Sequence, residues 1–153
     1  MSRSFILDTN IIVHIIRNEH FIHHFEQQYN LKSADKIISV VTEGELLSLL
    51  IQFNWGNRKI ERLLDVLSNL VIYPIRTQKV INAYAKIDAY SQGKLPNNPL
   101  PDKMSARNMG KNDLWIAATA HVTNSTLITT DKDFNHLNKS FIDLDTVKPS
   151  TFL

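Results

Sequence analysis

Acidic side chains stand beside apolar runs at four places in this chain. Asp8 interrupts FILDTNIIVHII. Glu43 and Glu45 follow IISVV and lead into LLSLLIQF. Asp113 precedes LWIAATA, and Asp131 follows TLITT. Each has a local use. Asp8 suits a helix cap, Thr42 and Glu45 have the spacing of a capping box, Asp113 suits a helix N-terminus and Asp131 a turn. Capping, however, does not require acids that converge, and a metal site does. Clustered carboxylates repel, so without a cation some hold protons. A hard divalent ion removes that conflict, and Mg²⁺ typically takes one or two carboxylates together with waters and substrate phosphates.

Competing chemistries lack their residues. The chain has no cysteine, which removes disulfides, thiolate metal sites and cysteine nucleophiles together and fits a reducing cytoplasm. No serine or histidine sits in a nucleophile motif, and GKLPNN is not a phosphate loop. His20, His23 and His24 could hold a metal from one helix face, but no matching ligand pair appears elsewhere. His14, His121 and His136 form no pattern.

The acids need elements to position them. Residues 5–7 read as a buried strand, followed by a helix capped by Asp8 or Thr9 and running to Arg17, and by a second helix to Tyr29. The β-branched run Lys36–Val41 predicts a strand. TEGELLSLLIQF predicts a helix, and another begins near Asn57 with Ile60, Leu63, Leu64, Leu67 and Leu70 at helical spacing. Leu70–Tyr73 is a short strand, 77–91 a helix, Asn112–Asn124 a helix, Thr126–Thr130 a strand and Phe141–Leu144 a last strand. Residues 92–111 hold three prolines and two glycines and read as a long loop. Strands that alternate with helices imply parallel βαβ units with helices on both faces, and in such folds the site lies at the carboxyl ends of the strands. The acids fall there. Helical spacing puts Asp113 on one stripe with Ile116, Ala117 and Ala120, aiming it over the sheet edge. Glu43 and Glu45 lie about 200° apart around a helix, and periodicity does not choose between them.

With 153 residues, 43% of them hydrophobic and 21% charged, the chain reads as one domain over 1–153 with a substantial core. No apolar run approaches the ~20 residues of a membrane span, and Asp8, Asn10 and His14 break up what would otherwise suggest a secretion signal. The net charge of +2 permits an acidic partner without demanding one. The 92–111 loop is more basic: Lys94, Lys103, Arg107 and Lys111 face only Asp102, a local charge of +3. It reads either as a solvated loop or as a phosphate-contacting arm, with Lys103, Arg107 and Lys111 nearest Asp113. Trp55 suits base stacking or a core, and the 60–70 stripe suits core or, in part, a partner surface.

ILDTNIIVHII, SVVTEGELLSLL, NDLWIAATA and LITTDKDF, in that order, resemble the four motifs of the PIN-domain nucleases, and above all the VapC-type ribonuclease toxins of bacterial toxin–antitoxin pairs. The resemblance covers essentially the whole chain. It implies a PIN-like three-layer α/β/α sandwich around a central, mostly parallel sheet. It further implies that Asp8, Glu45, Asp113 and Asp131 are the catalytic, metal-holding acids, that Asn10 and Thr129 are polar supports, and that Asp133 is a spare turn acid. The activity so implied is Mg²⁺- or Mn²⁺-dependent cleavage of RNA by a cytoplasmic homodimer restrained by a cognate antitoxin. An RNA-processing PIN nuclease without antitoxin is the alternative. A receiver-like phospho-acceptor module fits less well, because the first strand ends in a single acid followed by Thr9 and Asn10.

Overall fold

Alternation along the strands lets one sheet serve two cores. Phe5 and Leu7 face one cluster and Ile6 the other; Ile38 and Ile128 join the first, Ile37 and Leu127 the second. Strands covered on both faces in this way read as continuous apolar runs. The computed structural model describes residues 3–153. In chain order the main elements are β1 (Ser4–Leu7), α1 (Thr9–Arg17), α2 (Glu19–Tyr29), β2 (Asp35–Ser39), α3 (Val40–Gln52), α4 (Asn57–Ser68), β3 (Val71–Tyr73), α5 (Gln78–Ser91), α6 (Lys111–Thr123), β4 (Thr126–Thr129) and β5 (Asp143–Thr146). Short 3₁₀ segments lie at Leu31–Ser33, Lys132–Leu137 and Pro149–Phe152.

The five strands are all parallel, in the order β3-β2-β1-β4-β5. Helices α1 to α4 cover one face, around Ile12, Phe21, Leu46 and Leu63; α5 and α6 cover the other, around Ile87, Leu114 and Ala117. The winding direction reverses between β1 and β4. Open α/β sheets bind ligands at such a switch point, and here it brings the ends of FIL and TLIT side by side, with Leu7 paired to Ile128.

At two places the boundaries differ by more than one residue from the sequence expectation. Val40 and Val41 belong to α3, not to the strand before it. The Ser39 hydroxyl accepts from Val41 N at 3.1 Å and starts the helix, and β-branching costs a helix only a few tenths of a kcal/mol per residue. Thr42 therefore lies inside the helix, fully buried, and the expected Thr42–Glu45 capping box does not form. The last strand is Asp143–Thr146 rather than 141–144. Ile142 is buried and Phe141 packs on the Tyr90 ring at 5.0 Å, so both fill the core. The polar DLDT segment makes the edge ladder, started by Leu144 N donating to Asn138 Oδ1. Of the expected 92–111 loop, residues 92–110 form no helix or strand, and Lys111 opens α6.

Candidate metal centre at the strand ends

Asp8 ends β1 and caps α1. It is 4% exposed, and three donors hold its carboxylate: Thr9 N at 2.8 Å on Oδ1, and Asn10 Nδ2 at 3.1 Å and Thr129 Oγ1 at 2.6 Å on Oδ2. A carboxylate offers about four acceptor sites, so roughly one remains for a cation or water. Burial raises its pKa, the bonds from Thr129 and Thr9 oppose that, and the charges of Glu45 and Asp131 raise it further. Asn10 and Thr129 serve both strands at once. Asn10 Oδ1 accepts from Thr130 N at 3.2 Å. The buried Thr129 hydroxyl donates to Asp8 and accepts from Asp131 N at 3.0 Å.

Glu45 enters from α3, with Oε1 accepting from Thr9 Oγ1 at 2.8 Å. Thr9 Oγ1 also lies 3.3 Å from Thr42 Oγ1. A hydroxyl has a single proton; the shorter bond to the carboxylate takes it, leaving Thr42 to donate to Thr9. The structure thus turns Glu45 toward Asp8, and its charge acts on both Asp8 and Asp113. Glu43 acts on neither.

Asp113 sits in the first turn of α6 above the buried stripe Ile116, Ala117 and Ala120. It is half-buried. Desolvation first, then the charges of Asp8, Asp131, Glu45 and Asp133, push its pKa up to about 7. Asp131 starts the 3₁₀ turn, with Oδ1 accepting from Asp133 N at 2.8 Å. That turn swings Asp133 toward the others: Asp113, Asp131 and Asp133 each bring one carboxylate oxygen within 4.8 Å of the rest. Asp133 is thus more than a turn residue in its placement. The i, i+2 spacing in DKD, where an Asx turn folds both acids to one side, is the signal that could have found it.

Crowded carboxylate oxygens, with the pKa of Asp113 raised by its acidic neighbours, fit a hard divalent ion whose charge offsets that repulsion. Among the described residues this is the one His/Asp/Glu grouping tight enough to hold a metal. His20, His23 and His24 are exposed, and His24 Nδ1 instead lies 2.9 Å from the Phe152 carbonyl. Of the basic candidates, Arg107 reaches the acid turn, its Nη1 donating to the Asp133 carbonyl at 3.5 Å. Lys111 is exposed at the start of α6, two residues from Asp113, and Lys103 is exposed with φ 71°. Trp55 is buried in the core, which removes it from base stacking. A groove of about 540 Å³ runs from Thr9 and Glu45 past Ser48 and Gln52 to Asn112.

The PIN domain family model matches residues 5–140. No curated protein sequence matches the chain. Among solved structures, the chain is similar to a chain of VapBC2 from Rickettsia felis bound to a promoter DNA fragment: 25% identity, 94% of this chain and 98% of that one, TM-score 0.67. A chain of FitAcB from Neisseria gonorrhoeae is 24% identical over 95% and 98%, with TM-score 0.68. One from VapBC-5 of Mycobacterium tuberculosis, a member of the VapBC family of toxin–antitoxin systems, is 21% identical over 94% and 98%, with TM-score 0.61. With the family match spanning most of its length and the five-stranded parallel sheet beneath it, the chain belongs to the PIN-domain family.

Proposed function

We propose that this protein is a divalent-metal-dependent endoribonuclease of the VapC type, the cytoplasmic toxin of a toxin–antitoxin pair. The observation that carries the reading is the close grouping of Asp113, Asp131 and Asp133 at the β1/β4 switch point, with the charges of Asp8 and Glu45 acting on Asp113. Asp8, Glu45, Asp113 and Asp131 would hold Mg²⁺ or Mn²⁺. When bound, such an ion acidifies water and stabilises negative charge on a phosphate.

The protein's own residues do the rest. Thr9, Asn10 and Thr129 fix Asp8, and Thr9 also fixes Glu45, so little reorganisation is needed when substrate arrives. A site acid orients the attacking water and takes its proton. The hydroxide so formed adds to phosphorus, the bond to the 3′ oxygen breaks, and that oxygen takes a proton from solvent, leaving a 5′-phosphate and a 3′-hydroxyl. The groove beside Glu45 gives a single strand room to lie across the acids. Lys103, Arg107 and Lys111 supply cations for neighbouring phosphates.

The partners follow from the surface. Leu47 and Ile51, one turn apart on α3, are 42% and 76% exposed; Phe53 and Leu64 are 60% and 56% exposed. Such apolar surface suits a protein partner, here an antitoxin and a second copy of the chain. The toxin–antitoxin character of the similar structures supports the same reading. Among the described residues no helix is long and apolar enough to cross a membrane.

The test is to incubate the purified protein with total RNA, with Mg²⁺ or with a chelator, and to sequence the new 5′ ends. Discrete 5′-phosphate ends that need Mg²⁺ are expected, and Asp8→Asn should abolish them. Cleavage that persists in the chelator or in Asp8→Asn would sink the reading.

A further inference from the structure

The acid turn and the basic loop meet over a buried polar group that the chemistry above does not use. Ser91 ends α5 and is fully buried. Its Oγ lies 2.7 Å from His136 Nε2 and 3.3 Å from Met109 Sδ. His136 is itself only 3% exposed, in the 3₁₀ segment that follows Asp131. The Ser91 carbonyl accepts from Arg107 N at 2.7 Å, and Arg107 Nη1 donates to the Asp133 carbonyl. These contacts close a circuit: Ser91 to His136, along the chain to Asp133, across to Arg107, and back to Ser91.

Such a group is costly where apolar side chains would pack. His136 Nδ1 has no hydrogen-bond partner among the described residues, although the Asp133 carbonyl is close enough to favour a proton on the ring. The ring lies parallel to the Tyr90 ring, with centroids 6.4 Å apart. Burial, with the Arg107 charge as second cause, takes the imidazole down to about 4. The ring is therefore neutral at neutral pH and places no second cation beside Arg107. The guanidinium has five N–H donors and spends one on the Asp133 carbonyl. The others stay available at the edge of the acid site.

We propose that Ser91 and His136 are a positioning pair that holds Arg107 beside the acid turn, where it grips an RNA phosphate next to the one being cut. This rests on the ribonuclease reading above. The pair acts through Arg107 and does not itself touch RNA.

The test is fluorescence anisotropy of a labelled single-stranded RNA across a salt series, in chelator so that nothing is cut. The full chain is compared with Arg107→Ala, Ser91→Ala, His136→Leu, His136→Gln and the double variant Ser91→Ala/Arg107→Ala, each checked for folding by circular dichroism. Arg107→Ala should weaken binding about fivefold and flatten the salt slope by about 0.7, as for one lost single-strand phosphate contact. Ser91→Ala and His136→Leu break the pair from opposite sides, and either one, if folded, should reproduce most of that loss. The double variant should bind no more weakly than Arg107→Ala alone, because coupled residues are not additive. His136→Gln, whose amide can reach Ser91 Oγ, should recover binding to within about twofold. Wild-type affinity and slope in folded Ser91→Ala or His136→Leu would overturn the proposal. So would fully additive losses in the double variant, or a wild-type protein that binds no RNA. A protein that shows the expected binding pattern but cuts no RNA with Mg²⁺ would overturn the ribonuclease reading and leave the pair standing.

Discussion

Asp8 and Asp113 face the same site but are held in opposite ways. Asp8 is the more buried and is gripped by three donors. Asp113 is half-buried, and among the described residues no donor reaches its carboxylate. Its pKa rises to about 7, because burial and four acidic neighbours act on it unopposed. The Asp8 side is preorganised by hydrogen bonds that span β1 and β4; the Asp113 side stays electrostatically strained until a cation arrives. Burial is the first cause of the raised pKa at both acids; the donors aimed at Asp8 oppose it there, and nothing opposes it at Asp113.

The largest effects should come from removing either acid. Asp8→Asn and Asp113→Asn should each cut RNA cleavage at least about 100-fold, since even outer-sphere changes at metal sites cost 10–100-fold. Their stabilities should diverge. Asn at 113 relieves repulsion, so without metal the melting temperature should hold or rise. At 8 it puts an amide NH₂ where an acceptor is needed, and the melting temperature should fall. Equal melting shifts would erase the contrast between the two sides.

Thr129→Val should come next. It removes one donor from buried Asp8 and the acceptor for Asp131 N, at about 1–3 kcal/mol, measured by urea unfolding. An unchanged midpoint would mean that Asp8 does not depend on its donors.

The pH dependence of stability sharpens the comparison further. In metal-free buffer the folded state keeps a proton on Asp113 up to about 7, whereas an unfolded Asp releases it near 3.8. Folded chains bind more protons in that window, so this group makes stability fall as pH rises from about 4 to about 7. His136 works the other way. Its pKa is about 4 folded against 6.5 unfolded, so its contribution is fully present above 6.5 and is lost as pH falls toward 4. In thermal melts, relative to wild type, Asp113→Asn should therefore gain stability as pH rises from about 4 to about 7. His136→Gln should instead gain it, relative to wild type, as pH falls from 6.5 toward 4. Matching profiles in the two variants would contradict both assignments.

The smallest effect is expected at Glu43. Glu43→Gln should leave cleavage within about twofold of wild type, as surface changes away from a site usually do, while Glu45→Gln should cost at least about tenfold. Comparable losses at both positions would mean that α3 is rotated in the working enzyme.

Much of the fold was legible because its signals are local. FIL and TLIT are continuous apolar runs, and α6 carries its stripe in plain sequence. The last strand lies two residues beyond where its apolar residues point, because Phe141 and Ile142 pack in the core while the polar DLDT makes the ladder. The start of α3 is hidden because Ser39, not Thr42, supplies the cap. In the site, Asp8 and Asp131 announce themselves by following strands closely. The approach of Asp133 depends on a turn, and the choice of Glu45 over Glu43 on the rotation of one helix. The Ser91–His136 contact spans 45 positions along the chain and has no signature in spacing.

The central claim is that these carboxylates converge to hold a divalent ion. Isothermal titration of Mn²⁺ into the metal-free protein at pH 8, where Asp113 is ionised, tests it most directly. Saturable binding is expected in the wild type and in Glu43→Gln, with loss of at least tenfold in affinity for Asp113→Asn. Wild-type affinity in Asp113→Asn, or no saturable binding in any form, would contradict the account.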